Sequence, residues 1–258
     1  VANELQTRAT VGIALICVAI GSLLSGGVVF WILLSIAGVL MQAEWADLTR
    51  ASAHGKRMSM FAVCVPLAIM SPWAAGPSFL AVGLALGGFL FALVAARSLM
   101  TAAGILYISL PVLALLFLRE QLPNMNGLLL AFWALGLVWA TDIGAYFAGR
   151  SIGGPKLAPS VSPSKTWAGL GGGVACALLF GFLLHISAGL PVRLAAASGI
   201  LAVAAQGGDL FESWLKRRAG VKDSGTLLPG HGGVLDRLDG VATSAPLAAL
   251  LVAIPGLL

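Results

Sequence analysis

Apolar residues run almost unbroken along this chain, in blocks of 15–25 that are separated by short polar joints. The blocks do not alternate apolar with polar at period two, which argues against strands. Each approaches the roughly 20 residues that a helix rising ~1.5 Å per residue needs to cross ~30 Å of hydrocarbon. Nine spans follow: Thr10 to Leu24, Gly27 to Trp45, Met58 to Trp73, Phe79 to Ala96, Ala102 to Leu118, Gly127 to Ala148, Trp167 to Ile186, Pro191 to Gly208 and Val234 to Leu258. The count is weakest where only Ser25 to Gly27 divides the first two spans and where Pro66 lies inside the third. The last span is long enough that its first turns should stand in the interface.

Composition agrees with this pattern. With 59% hydrophobic residues, 10% charged ones and a mean hydropathy of +0.98, the chain lies outside the soluble globular range. The expected fold class is an all-α polytopic integral membrane protein with about nine transmembrane helices. Basic residues set its orientation, because Lys and Arg accumulate in short cytoplasmic loops. A cytoplasmic N-terminus puts thirteen of the fifteen inside and leaves only Arg119 and Arg193 outside. The net charge of +5 therefore reads as topology, with anionic lipid contact second, and not as nucleic-acid binding. The first run, preceded by Arg8, imitates a signal peptide, but removing it would place the basic loops outside unless the rest of the topology inverted. Cys17, Cys64 and Cys176 lie in apolar runs without paired spacing and read as small buried residues.

Many of the thirty-three glycines read as helix-packing positions, with Gly83/Gly87 and Gly169/Gly173 at the spacing that lets backbones approach inside a bundle or across a dimer. The two halves differ in chemistry. Residues 1–125 are apolar helices joined by ordinary loops; residues 126–258 hold nearly all the unusual polar groups, in two cytoplasmic segments at 149–166 and 209–239. One site built from helices six to nine is the simplest arrangement.

Asp142, in TDIGAYFAGR, is an acid inside the sixth span, about two turns before Arg150. An acid at mid-membrane costs about 2.5–3.5 kcal/mol, so it should face a polar cavity or a cation, or else make a structural hydrogen bond between helices. Asp209, Glu212 and Ser213 would share one face of a helix continued from the eighth span, and Asp236 and Asp239 repeat the three-residue spacing at the start of the ninth. Two such pairs could supply oxygen ligands to a hard cation such as Mg²⁺; interface salt bridges are the plainer alternative. Between them lies Pro229-Gly230-His231-Gly232-Gly233, a glycine turn ahead of a helix N-terminus, where backbone N–H groups could cradle a phosphate. His231 could donate a proton, bind phosphate or order the loop. Lys165, with hydroxyls on both sides in Ser162-Pro163-Ser164-Lys165-Thr166-Trp167, suits a phosphate at a helix start, although cytoplasmic topology alone would also place a Lys there. The Gly149 to Lys156 stretch lacks the Gly-Lys-Ser/Thr ending of a Walker A loop.

The stretch SWLKRRAGVKDSGTLLPGHGGVLDRLD, Ser213 to Asp239, closely resembles the C-terminal signature of CDP-diacylglycerol synthases (phosphatidate cytidylyltransferases): Ser213, Lys216-Arg217, Lys222-Asp223, His231-Gly232-Gly233, Asp236-Arg237 and Asp239 stand at its spacing. TDIGAYFAGR, KLAPSVSPSKTW and GDLFES extend the resemblance over residues 139–240. Ala168 departs from it, since many members carry an acid there, which argues that such an acid is dispensable in this chain.

The resemblance implies transfer of the cytidylyl group of CTP to phosphatidic acid, giving CDP-diacylglycerol and pyrophosphate. It implies an active site on the cytoplasmic face of a bacterial inner membrane, membrane lipids as surroundings, and a homodimer as the family expectation. Catalytic candidates are Asp209, Asp236, Asp239, Lys165 and His231. Substrate-binding candidates are Lys165, Lys216, Arg217, Lys222, Gly232, Gly233 and Arg237. Asp209, Asp236 and Asp239, with Asp142 and Glu212, are the expected ligands of Mg²⁺ and of any second cation. The competing class is a transporter or ion pathway. It predicts mid-bilayer charges and related halves, whereas the charges here sit at helix ends in one half.

Overall fold

The computed structural model describes residues 2–120, 126–228, 230 and 232–254, with the backbone alone for residues 2–9. Nine helices make up almost all of it: α1 (Ala2–Ser25), α2 (Gly27–Leu48), α3 (Ala53–Ile69), α4 (Phe79–Ala96), α5 (Leu99–Arg119), α6 (Gly127–Ser151), α7 (Trp167–Ala188), α8 (Val192–Ala219) and α9 (Leu235–Ala253). Each expected span falls on one of them, although residues 255–258 of the last lie outside the described residues. Their starts follow side-chain chemistry. Ser52, Ser98, Asn126 and Thr166 each accept a hydrogen bond from a backbone N–H of the first turn that follows.

Six of the nine, α2 and α4 to α8, are long and apolar enough to cross a membrane, so the protein is an all-α membrane protein. The other three are shorter in apolar length. The apolar part of α1 is Thr10–Ser25, α3 has 17 residues and opens on Lys56 and Arg57, and α9 carries Asp236, Arg237 and Asp239 in its first two turns. The outer surface is itself apolar: Phe79 is 95% exposed and Ile186 81%, as lipid-facing side chains are. Inside, two indole N–H groups tie helices together. The Trp133 indole N–H donates to Ser198 Oγ (2.9 Å), joining α6 to α8, and the Trp45 indole donates to the Met100 carbonyl (2.7 Å), joining α2 to α5.

The glycine pairs divide. Gly169 and Gly173 do bring α7 onto α6: a Cβ at Gly169 would lie 3.0 Å from the Ala145 carbonyl, and one at Gly173 2.9 Å from that of Thr141. Gly83 and Gly87 instead have nothing within 4 Å, because α4 meets α3 through Gly88, whose Cβ would lie 3.0 Å from the Ala62 carbonyl. Of the two readings of this pair, packing inside the bundle is not what the described residues show.

The expectation of an all-helical chain also needs correction in one place. Within 149–166 a small antiparallel hairpin forms from β1 (Lys156–Ala158) and β2 (Ser162–Thr166). Its turn is closed by Val161 N–H donating to the Ala158 carbonyl (3.2 Å), with Pro159 at the second turn position, where its fixed φ suits the bend. The segment is too short for periodicity to reveal it.

One end of the bundle gathers the C-terminal ends of α2, α6 and α8 with the hairpin and the starts of α7 and α9. Arg50, just past α2, donates to the Ala219 carbonyl at the end of α8 (3.2 Å), and Arg217 donates to the Val161 carbonyl of the hairpin turn (3.5 Å). At the opposite end Arg119 donates to the carbonyls of Leu23 and Leu24.

Candidate active site

At the gathered end, α6, β2, the start of α7 and α8 enclose a cavity of about 420 Å³. Asp142, Tyr146, Arg150, Lys165, Gln206 and Asp209 line it with both signs of charge. Lys165 Nζ lies 2.5 Å from Asp209 Oδ2, and Ser213 Oγ donates to Asp209 Oδ1 at 3.3 Å. The Gln206 amide donates to Asp142 Oδ1 at 3.4 Å, and Arg150 donates to the Tyr146 hydroxyl at 2.9 Å. Backbone proximity builds this wall: a Cβ on Gly149 would be 3.2 Å from Thr166 Oγ1, so the end of α6 lies directly against the α7 N-cap and holds Lys165 over α8. Asp142 and Lys165, from separate sequence segments, thus open into one cavity.

A second cluster adjoins it. As expected, α8 continues well past its apolar part, and Glu212 and Lys216 extend the face of Asp209. Lys216 Nζ bridges two acids, Asp236 Oδ1 at 2.6 Å and Glu212 Oε2 at 3.2 Å. The other oxygen of Asp236 accepts from Ser224 N, Ser224 Oγ and Gly233 N at 2.8–2.9 Å. Asp236, expected as a metal ligand, therefore has both oxygens taken by protein donors, and Lys216, expected to bind phosphate, is held between carboxylates.

The turn before α9 is likewise occupied. Gly233 N–H donates to Asp236, while Val234 N–H (2.9 Å) and Leu235 N–H (2.8 Å) donate to Glu44 of α2. Where the sequence suggested a phosphate cradle, two carboxylates of the protein fill it. Gly232 has φ +80°, and a Cβ there would come 2.6 Å from Asp236 Oδ2, so this glycine makes room for the carboxylate. His231 lies outside the described residues. Arg217, Lys222 and Arg237 are exposed at the same end, and Arg237 is near enough to Asp142 to act on its charge.

Asp239 comes in from α9 because Gly208 lets that helix approach; any Cβ at 208 would overlap the Asp239 carbonyl and Thr243. Asp142, Asp209 and Asp239 are then close enough to repel one another, and Glu212 faces Asp239, carboxyl to carboxyl. Glu212 is 1% exposed, and its Oε1 has no hydrogen-bond partner among the described residues. Among those residues no three acids or histidines stand as a ready-made metal cage. A buried carboxylate oxygen without a donor among those residues, facing Asp239 with Asp236 also near, is still the kind of environment that a divalent cation relieves. Asp142, Asp209, Glu212 and Asp239 fit such an ion; Asp236 fits it less well.

The sequence reading passed over Arg150, Tyr146 and Gln206 as cavity groups, and it passed over Glu44 entirely. Glu44 sits in the apolar run of α2 next to its end, where the hydropathy of its neighbours absorbs it. The cost argument applied to Asp142 would have singled it out as well.

The chain is similar to known proteins over nearly all its length. The sequence model described as the Cytidylyltransferase family matches residues 6–255. A protein of Brucella suis biovar 1 (strain 1330) named phosphatidate cytidylyltransferase is 39% identical across 98% of this chain and 94% of its own length. Proteins of the same name from Bacillus subtilis (strain 168) and Haemophilus influenzae (strain ATCC 51907 / DSM 11121 / KW20 / Rd) are 45% and 48% identical over 54% and 47% of this chain, covering 52% and 44% of their own lengths. With the match running through the N-terminal helices as well as the polar end, the chain belongs to the cytidylyltransferase family.

Proposed function

We propose that this chain transfers the cytidylyl group of CTP to phosphatidic acid, releasing CDP-diacylglycerol and pyrophosphate, at the cytoplasmic face of a bacterial inner membrane. The observation that carries the reading is the mixed-charge cavity at one end of an apolar bundle, where Lys165 and Arg150 face Asp142 and Asp209. A site at a helix end suits reactants that differ in phase, since CTP arrives from water and phosphatidic acid from the bilayer. The relatives carry the name of this reaction, and nothing observed favours the transporter alternative.

In the reaction a phosphate oxygen of the lipid attacks the α-phosphorus of CTP, and the bond from that phosphorus to the bridging oxygen of the pyrophosphate breaks. The nucleophile is already ionised, so no strong general base is required. The difficulty is repulsion between two polyanions and charge accumulating on the leaving group. Lys165 and Arg150 would bind phosphates at the cavity wall, with Lys165 exchanging its partner Asp209 for substrate. Arg217, Lys222 and Arg237 would hold the outer phosphates. Lys216, fixed between Glu212 and Asp236, keeps positive charge at the site and aligns α8 with α9. Mg²⁺, held by Asp209 and Asp239 with Asp142 and Glu212, would supply charge neutralisation for the triphosphate when bound. Fixed geometry across three helices supplies the orientation that the attack needs.

The topology goes with this reading: all nine helices cross the membrane, with the N-terminus and the segments 149–166 and 209–239 cytoplasmic, so that the lipid reaches the site sideways from the inner leaflet. Residues 126–258 then carry the catalytic groups, and residues 1–125 support them.

The test is pyrophosphate release by detergent-purified protein given CTP, phosphatidic acid and Mg²⁺, with the lipid product identified and Asp209→Asn alongside. Product that needs all three components, and that the variant does not form, is the expected result. Folded protein that stays inactive across lipids and cations would overturn the reading.

A further inference from the structure

Glu44 belongs to the half of the chain without motif residues, yet its carboxylate stands at the centre of the motif loop. It is 8% exposed. Oε1 accepts from Val234 N–H at 2.9 Å; Oε2 accepts from Leu235 N–H at 2.8 Å and from Ser224 Oγ at 2.9 Å. The loop is shaped around it: a Cβ at Gly225 would lie 2.8 Å from Oε1, and one at Gly233 would overlap Oε2. Ser224 Oγ lies 2.9 Å from both Glu44 Oε2 and Asp236 Oδ2, so a single hydroxyl links the two buried acids. The N–H groups at the start of α9 would otherwise be orphaned donors, and the positive end of that helix favours a negative group.

From this geometry we infer that Glu44 is a positioning residue for cytidylyl transfer: its carboxylate fixes the first turn of α9, and through that turn sets Asp236, Arg237 and Asp239 against α8. The inference rests on the function proposed above. Glu44 does not line the cavity and acts only through the loop. A displacement of about 1 Å at such a turn is enough to lower a rate by about 10²-fold. An amide in place of the carboxylate would present an NH₂ group to N–H donors, so Glu44→Gln disturbs the turn while keeping the side chain's volume.

The experiment compares wild type, Glu44→Gln and Glu44→Asp for turnover, and wild type with Glu44→Gln for backbone hydrogen exchange. In Glu44→Gln, kcat should fall about 10²-fold while KM for phosphatidic acid stays within about twofold. Exchange should accelerate at residues 224–236 and stay unchanged in α4, α5 and α7. Glu44→Asp, which keeps the charge, should recover part of the lost turnover. Unchanged exchange in the loop, or accelerated exchange with wild-type kcat, would overturn the proposal. So would faster exchange spread over every helix, which would mark general destabilisation. A wild-type chain inactive with CTP and phosphatidic acid would overturn the reaction itself, and the catalytic role of Glu44 with it, whatever the exchange showed.

Discussion

Three buried acids at one end of the bundle are stabilised in different ways. Glu44 is held by two backbone N–H groups and Asp236 by two backbone N–H groups and Lys216, while the one proton of the Ser224 hydroxyl is shared between them. Glu212 shares Lys216 and keeps one oxygen without a partner among the described residues. A buried ion pair adds little beyond the desolvation it requires, but removing one member costs about 3–5 kcal/mol because the other is left uncompensated. Lys216→Met should therefore destabilise the protein by about that amount, leaving Glu212 and Asp236 without their shared cation, and should be seen as a lowered thermal midpoint in detergent. Lys165 is different. Its partner Asp209 is 32% exposed in the cavity, so Lys165→Ala should change the midpoint little and lower kcat/KM for CTP by about 10²-fold or more, measured by pyrophosphate release. Equal losses of stability in the two variants would remove Lys165 from the proposed phosphate-binding role.

Among the elements, much of the fold was legible because membrane spans advertise themselves through long apolar runs and loops through breaks in them. Glycine spacing was only half legible. Period alone says that two small residues share a face, and not which face meets a neighbour; Gly169/Gly173 meet α6, and Gly83/Gly87 meet nothing among the described residues. The role of Glu44, though not the cost of its charge, and the β1–β2 hairpin were illegible for another reason. Their roles depend on contacts separated by many residues, 190 between Glu44 and Val234, or on a ladder too short to have a period. The same distinction yields a prediction. Gly173→Ala places a methyl 2.9 Å from the Thr141 carbonyl, next to Asp142, and must part α6 from α7; Gly83→Ala meets open space and gains helix propensity of about 1 kcal/mol. The first should lower both thermal midpoint and turnover, and the second neither. A tolerant Gly173 would mean that the α6–α7 approach does not set the position of Asp142.

For the molecule as a whole, basic groups that the sequence assigns to one side do meet at one end, since Arg50, Arg217 and Lys165 each bond to another of those segments. On the proposed function that end faces CTP, and nine crossings would bring thirteen of the fifteen basic residues to its side of the membrane. The consequence can be tested with single cysteines on a background in which Cys17, Cys64 and Cys176 are replaced. Ser160, exposed at the hairpin turn, and Thr226, exposed in the loop before α9, mark the gathered end; Ser187, exposed at the end of α7, marks the other. In intact cells a membrane-impermeant maleimide should label Ser187→Cys and spare Ser160→Cys and Thr226→Cys, and in inside-out vesicles the pattern should reverse. Labelling of Ser160→Cys and Thr226→Cys on opposite sides would show that the cavity segments do not share a face, and a uniformly inverted pattern would put the site outside, away from its nucleotide. Either result would sink the topology. Retained labelling of the gathered end in vesicles, with protection of Thr226→Cys by CTP and Mg²⁺, would tie the orientation to the chemistry, because the loop that shields the cysteine is the one that Glu44 and Asp236 hold in place.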